Sequence, residues 1–277
     1  MTTAWVLGGG GAKGSFQIGV MKQLSEKGIV PDAVYGTSVG ALNSAGFAYS
    51  GIEKLEKVWR TIDGKGDIIS FQLGTLVMHT KGVYSTKPLR KLVDSVVPHD
   101  VVVPTILPTV SITHIETGEL VYINPVNSAA YRMTFADAVV ASASMPFIME
   151  PVNEVWVDGG IRETVPLNVA VHDGADEIYV MMCNPWTRDL ELVNPVSNWL
   201  EVILRLLDIM VHEIFINDIQ TCLEMNDDPC KKKVAIHLYA PEHSYTDTLD
   251  FSPEKIDYGI KYGYEAQEVG HDFLRAL

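Results

Sequence analysis

Thr3-Ala4-Trp5-Val6-Leu7-Gly8-Gly9-Gly10-Gly11-Ala12-Lys13-Gly14-Ser15 sets a short apolar run against four successive glycines. Residues 3–7 read as a buried strand. Phe16, Ile18, Val20, Met21 and Leu24 then read as one helix over 15–27, ending near Gly28. The turn between them admits three chemistries. A phosphate loop needs Gly-Lys-Ser/Thr, but the order here is Lys13-Gly14-Ser15, so the lysine is misplaced. A dinucleotide turn fits better, because Gly9-x-Gly11-x-x-Gly14 matches and Asp32 lies 18 residues past Gly14. The ribose-binding acid should end the second strand, however, and Asp32 precedes it. The third reading is an anion cradle. The N–H groups of Gly9, Gly10 and Gly11 converge where no Cβ intervenes, at a helix N-terminus, and Lys13 adds charge or shapes the loop. A plain strand-to-helix turn explains one or two glycines and leaves the rest unexplained.

Outward from this turn, strands and helices alternate. Residues 33–35, 154–157, 177–183 and 234–239 read as strands, and 108–113 with 119–123 as a hairpin about Glu116-Thr117-Gly118. Helices are expected over 39–49, 52–62, 87–97, 135–143, 166–172, 196–224 and 253–276. That order implies an α/β fold with a mostly parallel sheet covered on both faces. With no repeat and no linker, residues 1–277 read as a single domain.

Gly36-Thr37-Ser38-Val39-Gly40 is a GxSxG turn between the second strand and a small-residue helix. This is the setting of a nucleophilic serine, whose flanking glycines relieve crowding and whose following N–H, from Val39, points at the same place. Ser38 as a mere helix N-cap is the plainer reading. A serine needs a base. None of His79, His99, His114, His172, His212, His237, His243 and His271 stands at a strand-end loop beside an acid. Asp158, before Gly159-Gly160, is expected at the C-terminal edge of its strand, where sites assemble in open α/β sheets.

The formal charge of −14, from 21 basic and 35 acidic residues, argues against nucleic-acid binding. Cys183, Cys222 and Cys230 cannot all pair, and they read as reduced thiols of a cytoplasmic protein. No basic leader opens the chain and no long apolar span crosses a membrane, which leaves peripheral membrane contact open. In the expected helix 196–224, Glu201, Arg205, Asp208 and His212 form one polar stripe inside a wide apolar surface. A buried core helix is the common explanation, and a lid or acyl-chain wall the functional one.

Taken in order, Gly9-Gly10-Gly11-Ala12-Lys13-Gly14, Gly36-Thr37-Ser38-Val39-Gly40 and Asp158-Gly159-Gly160 resemble the patatin-like phospholipase family. Ala141-Ser142-Ala143-Ser144-Met145-Pro146-Phe147 resembles its small-residue segment before the Asp-Gly motif. The resemblance implies a three-layer α/β/α hydrolase of lipid acyl esters. It carries Ser38 over as nucleophile, Asp158 as base, and Gly9, Gly10 and Gly11 as the oxyanion loop. Lys13 stands where the family often has arginine, keeping the charge without the planar fork. The implied substrate is a phospholipid or another fatty-acyl ester, with no cofactor and no metal. The alternatives are an NAD-dependent oxidoreductase using the glycine turn and Asp32, or a catalytically silent lipid-binding scaffold.

Overall fold

The computed structural model describes residues 1–71, 82–185, 199–227 and 233–270. Strands β1 (Thr3–Leu7), β2 (Ala33–Gly36), β5 (Leu107–His114), β9 (Glu177–Met181) and β10 (Ala235–Tyr239) are parallel, in the order β10-β9-β1-β2-β5. The expected hairpin forms, with β6 (Leu120–Ile123) antiparallel to β5 at the sheet's edge. Along β1 the side chains alternate between two cores. Trp5 and Leu7 join a cluster with Phe16, Met21 and Leu24 of helix α1 (Ser15–Glu26), whereas Ala4 and Val6 join Val180, Leu238 and Phe215 on the opposite face. Period-two alternation into two apolar layers is what a sheet covered on both sides requires, and the fold is the expected three-layer α/β/α.

Several boundaries differ from the sequence reading. The helices expected over 39–49 and 52–62 both form, as the two arms of α2 (Val39–Arg60), and Gly51 between them is non-helical, with φ 74° and ψ 169°. Glycine takes that positive φ without steric cost, so the first helix ends there and the second starts directly after it. Helix α3 (Lys87–Asp94) stops short of Val97, and α4 (Phe135–Ser142) begins with a capping box between Thr134 and Asp137. A small second sheet, β3 (Ser70–Phe71), β4 (Gly82–Ser85) and β7 (Phe147–Met149), was not anticipated. Helix α5 (Leu167–His172) lies as expected, and α6 (Trp199–Asp227) forms the long helix. The closing helix α7 (Pro253–Glu265) ends well before residue 276, and residues 196–198 and 271–276 of the expected helices lie outside the described residues.

The largest departure concerns β8 (Trp156–Asp158). It runs antiparallel to β5, and Ile112 pairs with Asp158. β2 covers β5 only from Leu107 to Val110, so β5 overruns β2, and β8 occupies the edge left free beyond it. Asp158 was expected at a carboxyl edge shared with the parallel strands. Instead its strand comes back toward the end of β2 from the other direction, so Gly36 and Asp158 face each other across a short gap along β5.

Candidate active site

That gap holds the serine turn. Ser38 has φ 58° and ψ −125°, a backbone conformation costly for any residue with a side chain. Close packing explains why glycines flank it. A Cβ on Gly40 would stand 2.1 Å from the Leu7 carbonyl oxygen, and one on Gly36 would stand 2.2 Å from the Gly40 carbonyl oxygen. The turn is held from the neighbouring helix, where the Ser142 hydroxyl accepts the Ser38 N–H at 3.0 Å. Thr37 and Ser111 share a hydroxyl hydrogen bond of 2.6 Å across the gap. Ser38 thus sits in an ordered strand-to-helix turn, and its side chain lies beside the Asp158 carboxyl in one cavity, close enough to lower that group's pKa.

Asp158 is buried, and its backbone is fixed by donation of its N–H to the Ser144 carbonyl at 3.0 Å. One carboxylate oxygen accepts the Gly160 N–H at 2.7 Å. Burial pushes its pKa up to about 7, against the lowering effects of the Gly160 and Ser38 hydrogen bonds. A carboxyl group titrating near neutrality can take a proton and return it. No histidine lines either cavity next to Ser38 among the described residues.

The glycine turn lies beside this pair. The Gly8 N–H donates to Met181 and the Gly9 N–H to the Thr164 carbonyl at 3.2 Å, so the expected contribution of Gly9 as a free anion donor is replaced by a structural bond. Gly10, Gly11 and Val39 open their helical turns, and their N–H groups have no acceptor among the described residues. Gly10 packs so closely on Cys183 that a Cβ would lie 2.2 Å from the cysteine Cβ. Lys13 is buried, and its ammonium donates to Asn184 Oδ1 at 2.7 Å. It lines neither Ser38 cavity, whereas Asn184 lines the smaller.

Two cavities meet at Ser38, Met145 and Thr248. The larger runs between α2, α3 and α4 past Leu42, Leu55, Trp59, Leu89, Val93 and Val139, and its walls are almost wholly apolar. The smaller holds Asp158, Gly9, Gly10 and Asn184 on one side and Leu207 and Val211 of α6 on the other.

Asp32 sits elsewhere. Its carboxylate caps the Thr3 N–H at the opening of β1, the edge of the sheet opposite the glycine turn. Asp32 therefore does not stand at the end of β2, where the acid of a dinucleotide turn holds a ribose, which removes the geometric basis of the dinucleotide reading.

Several contributors gave no sequence signal. Thr164 anchors Gly9, and its hydroxyl reaches the Gly160 and Val211 carbonyls. Asp218 of α6 lies near the Thr164 and Val165 N–H groups, and burial, with nearby Glu163, raises its pKa to about 8. Each is a single polar residue acting on backbone distant in sequence. Only the Ser142–Ser144 segment lay within a recognisable pattern.

The family model for patatin-like phospholipase matches residues 5–171. Patatin-like phospholipase domain-containing protein 7 of Rattus norvegicus is 27% identical over 97% of this chain, which corresponds to 20% of that protein. Lysophospholipase NTE1 of Mycosarcoma maydis is 26% identical over 65% of this chain and 10% of its own length. The chain therefore spans about a fifth or less of these relatives. Among solved structures, VipD from Legionella pneumophila shares the fold with a TM-score of 0.50 at 14% identity, covering 98% of this chain and 68% of VipD. The ordered motifs, the fold they build and the match over residues 5–171 together make this chain a member of the patatin-like phospholipase family.

Proposed function

We propose that the chain hydrolyses single-chain fatty-acyl esters, lysophospholipids among them, through a covalent acyl-enzyme on Ser38. The observation that carries this reading is the pairing of buried Ser38 and Asp158 in one cavity, with Ser38 also opening onto a long apolar cavity. The cavity supplies one apolar channel, which suits one acyl chain. The lysophospholipase among the relatives is consistent with that class of substrate.

In the first half-reaction Asp158 takes the Ser38 proton as Oγ bonds to the ester carbonyl carbon. The Gly10, Gly11 and Val39 N–H groups stabilise the resulting oxyanion, a role available to them because no protein acceptor occupies them among the described residues. The tetrahedral adduct collapses, the bond to the leaving alcohol breaks, and Asp158 returns the proton to that alcohol. In the second half-reaction Asp158 takes a proton from water, the hydroxide attacks the acyl carbon, and Ser38 leaves as its proton is restored. Lys13 orders the cradle through Asn184 and the turn that it closes with Gly10. Catalysis of this kind needs no cofactor.

The test is turnover of lysophosphatidylcholine and of a short water-soluble ester by wild type, Ser38→Ala and Asp158→Asn. Both variants should lose at least about 1,000-fold in kcat. Full activity in either one refutes the dyad, and a folded wild type inactive on every acyl ester supports the silent scaffold instead.

A further inference from the structure

The N-terminal half of α6 has two different sides. Leu207 and Val211 line the cavity that contains Ser38 and Asp158. Val202, Leu206, Ile209 and Met210, at helical spacings of four, three and one, form an adjoining stripe that faces solvent. Leu206 and Met210 are 54% and 52% exposed. The stripe stops where the helix leaves the cavity, because Glu213 and Asn217 continue the same face as exposed polar residues. Phe215 and Ile216 bury the helix's inner side in the core. His212, expected in a polar stripe, is buried instead.

A second element shows the same pattern. Met145 and Pro146 line the smaller cavity, and the next residue, Phe147, is 62% exposed. Its φ of 67° is a strained conformation for an aromatic residue. Two segments distant in sequence thus each line the active-site cavity with two residues and expose apolar neighbours to water. Isolated exposed apolar residues are ordinary, whereas apolar residues exposed by two elements that line the same cavity mark an interaction face. The four stripe positions are apolar. Arg205, which borders Val202 and Ile209, is half-buried and has a partner of its own, and the chain carries a formal charge of −14. The stripe thus fits an apolar partner and not one selected by negative charge.

We infer that Phe147 and the Val202–Leu206–Ile209–Met210 stripe form a docking face for a neutral lipid surface, set so that the Ser38 cavity opens into the layer it touches. The assignment rests on the lipid-hydrolase reading for the identity of the surface. Lodging the stripe among acyl chains removes its apolar area from water, and the single-chain ester then reaches Ser38 without crossing bulk water.

The experiment uses the full chain carrying Ser38→Ala, so that binding is read without turnover, in co-sedimentation with phosphatidylcholine vesicles and with vesicles containing phosphatidylserine. Leu206→Ser/Met210→Ser and, separately, Phe147→Gly, which suits the left-handed backbone, are compared in the same background. Binding to neutral vesicles should persist when salt is raised from 0.1 to 0.5 M. Each large side chain removed should weaken it about tenfold. The same substitutions on the active chain should leave turnover of a short soluble ester unchanged while lowering turnover of vesicle-borne ester. Binding that requires phosphatidylserine and is lost at high salt overturns the inference. So does a concentration-dependent dimer that Leu206→Ser/Met210→Ser dissociates, with no vesicle binding. Failure to bind vesicles while soluble ester is still hydrolysed removes the docking face alone. Vesicle binding by a chain that hydrolyses no ester removes the hydrolase reading alone.

Discussion

Replacing Asp158 with asparagine should stop turnover and at the same time make the protein more stable. Burial holds the Asp158 carboxyl near pKa 7, against an ordinary value of 3.8. An acid whose pKa is raised on folding favours the folded state at low pH. That advantage is lost as pH rises from the unfolded value through the folded one, because the unfolded chain can ionise and the buried group resists. At 1.36 kcal/mol per unit, the ionisable side chain destabilises the fold by about 2 kcal/mol at pH 5 and about 4 kcal/mol at pH 8. Asparagine never bears the charge. Its amide oxygen can still accept the Gly160 N–H, and its amide nitrogen can donate to Ser38. Asp218 and Glu163 also titrate nearby, but both proteins share them, so they cancel in the difference. Urea unfolding of wild type and Asp158→Asn at pH 5, 6 and 8 reads the gap directly from the midpoints, provided that the slopes agree. A widening advantage for the variant is expected. An Asp158→Asn protein equal to or weaker than wild type at pH 8, or a gap that does not change with pH, would refute the desolvated carboxyl.

Other consequences follow from the same geometry. kcat/KM on a soluble short-chain ester should rise about tenfold between pH 6 and pH 8, since the base must be ionised and titrates near 7; a profile flat over that range would exclude Asp158 as the base. Gly10→Ala presses a methyl group onto Cys183 and displaces an oxyanion donor, so kcat should fall about 100-fold or more, with partial recovery in the Gly10→Ala/Cys183→Gly double variant. Gly40→Ala drives a Cβ into the Leu7 carbonyl, and circular dichroism should show a chain that fails to fold or melts far below wild type. Leu55→Trp narrows the apolar cavity, so kcat/KM should fall about tenfold or more for long-chain esters and little for a butyrate, as a chain-length series would show.

The local backbone geometry was legible in the sequence because it is written in local constraints. Glycines at 36 and 40 are needed by backbone contacts within a few ångströms of Ser38, and the turn between β1 and α1 is contiguous. What sequence could not supply is the origin of the Ser38–Asp158 meeting. Asp158 looked like the end of one more parallel strand. It reaches the serine because β5 outruns β2 and an antiparallel strand fills the remainder, a matter of register between segments far apart. The roles of the glycines were likewise unresolved, since which N–H is free depends on Thr164 and Met181 across the fold. Helix α6 was read as either a buried core helix or a lid or acyl-chain wall, and its two halves differ. Its C-terminal half packs in the core, and its N-terminal half borders the cavity with an apolar face outward. Periodicity counts apolar residues per turn and does not say what covers them.

The most direct measurement is intact-mass analysis after incubation with a long-chain alkyl fluorophosphonate, comparing wild type with Ser38→Ala and Asp158→Asn. One adduct per wild-type chain, none on Ser38→Ala, and labelling slowed by at least about 100-fold on Asp158→Asn is the expected result. An unlabelled, folded wild type, or an adduct that survives Ser38→Ala, would contradict an activated Ser38 at the centre of this site.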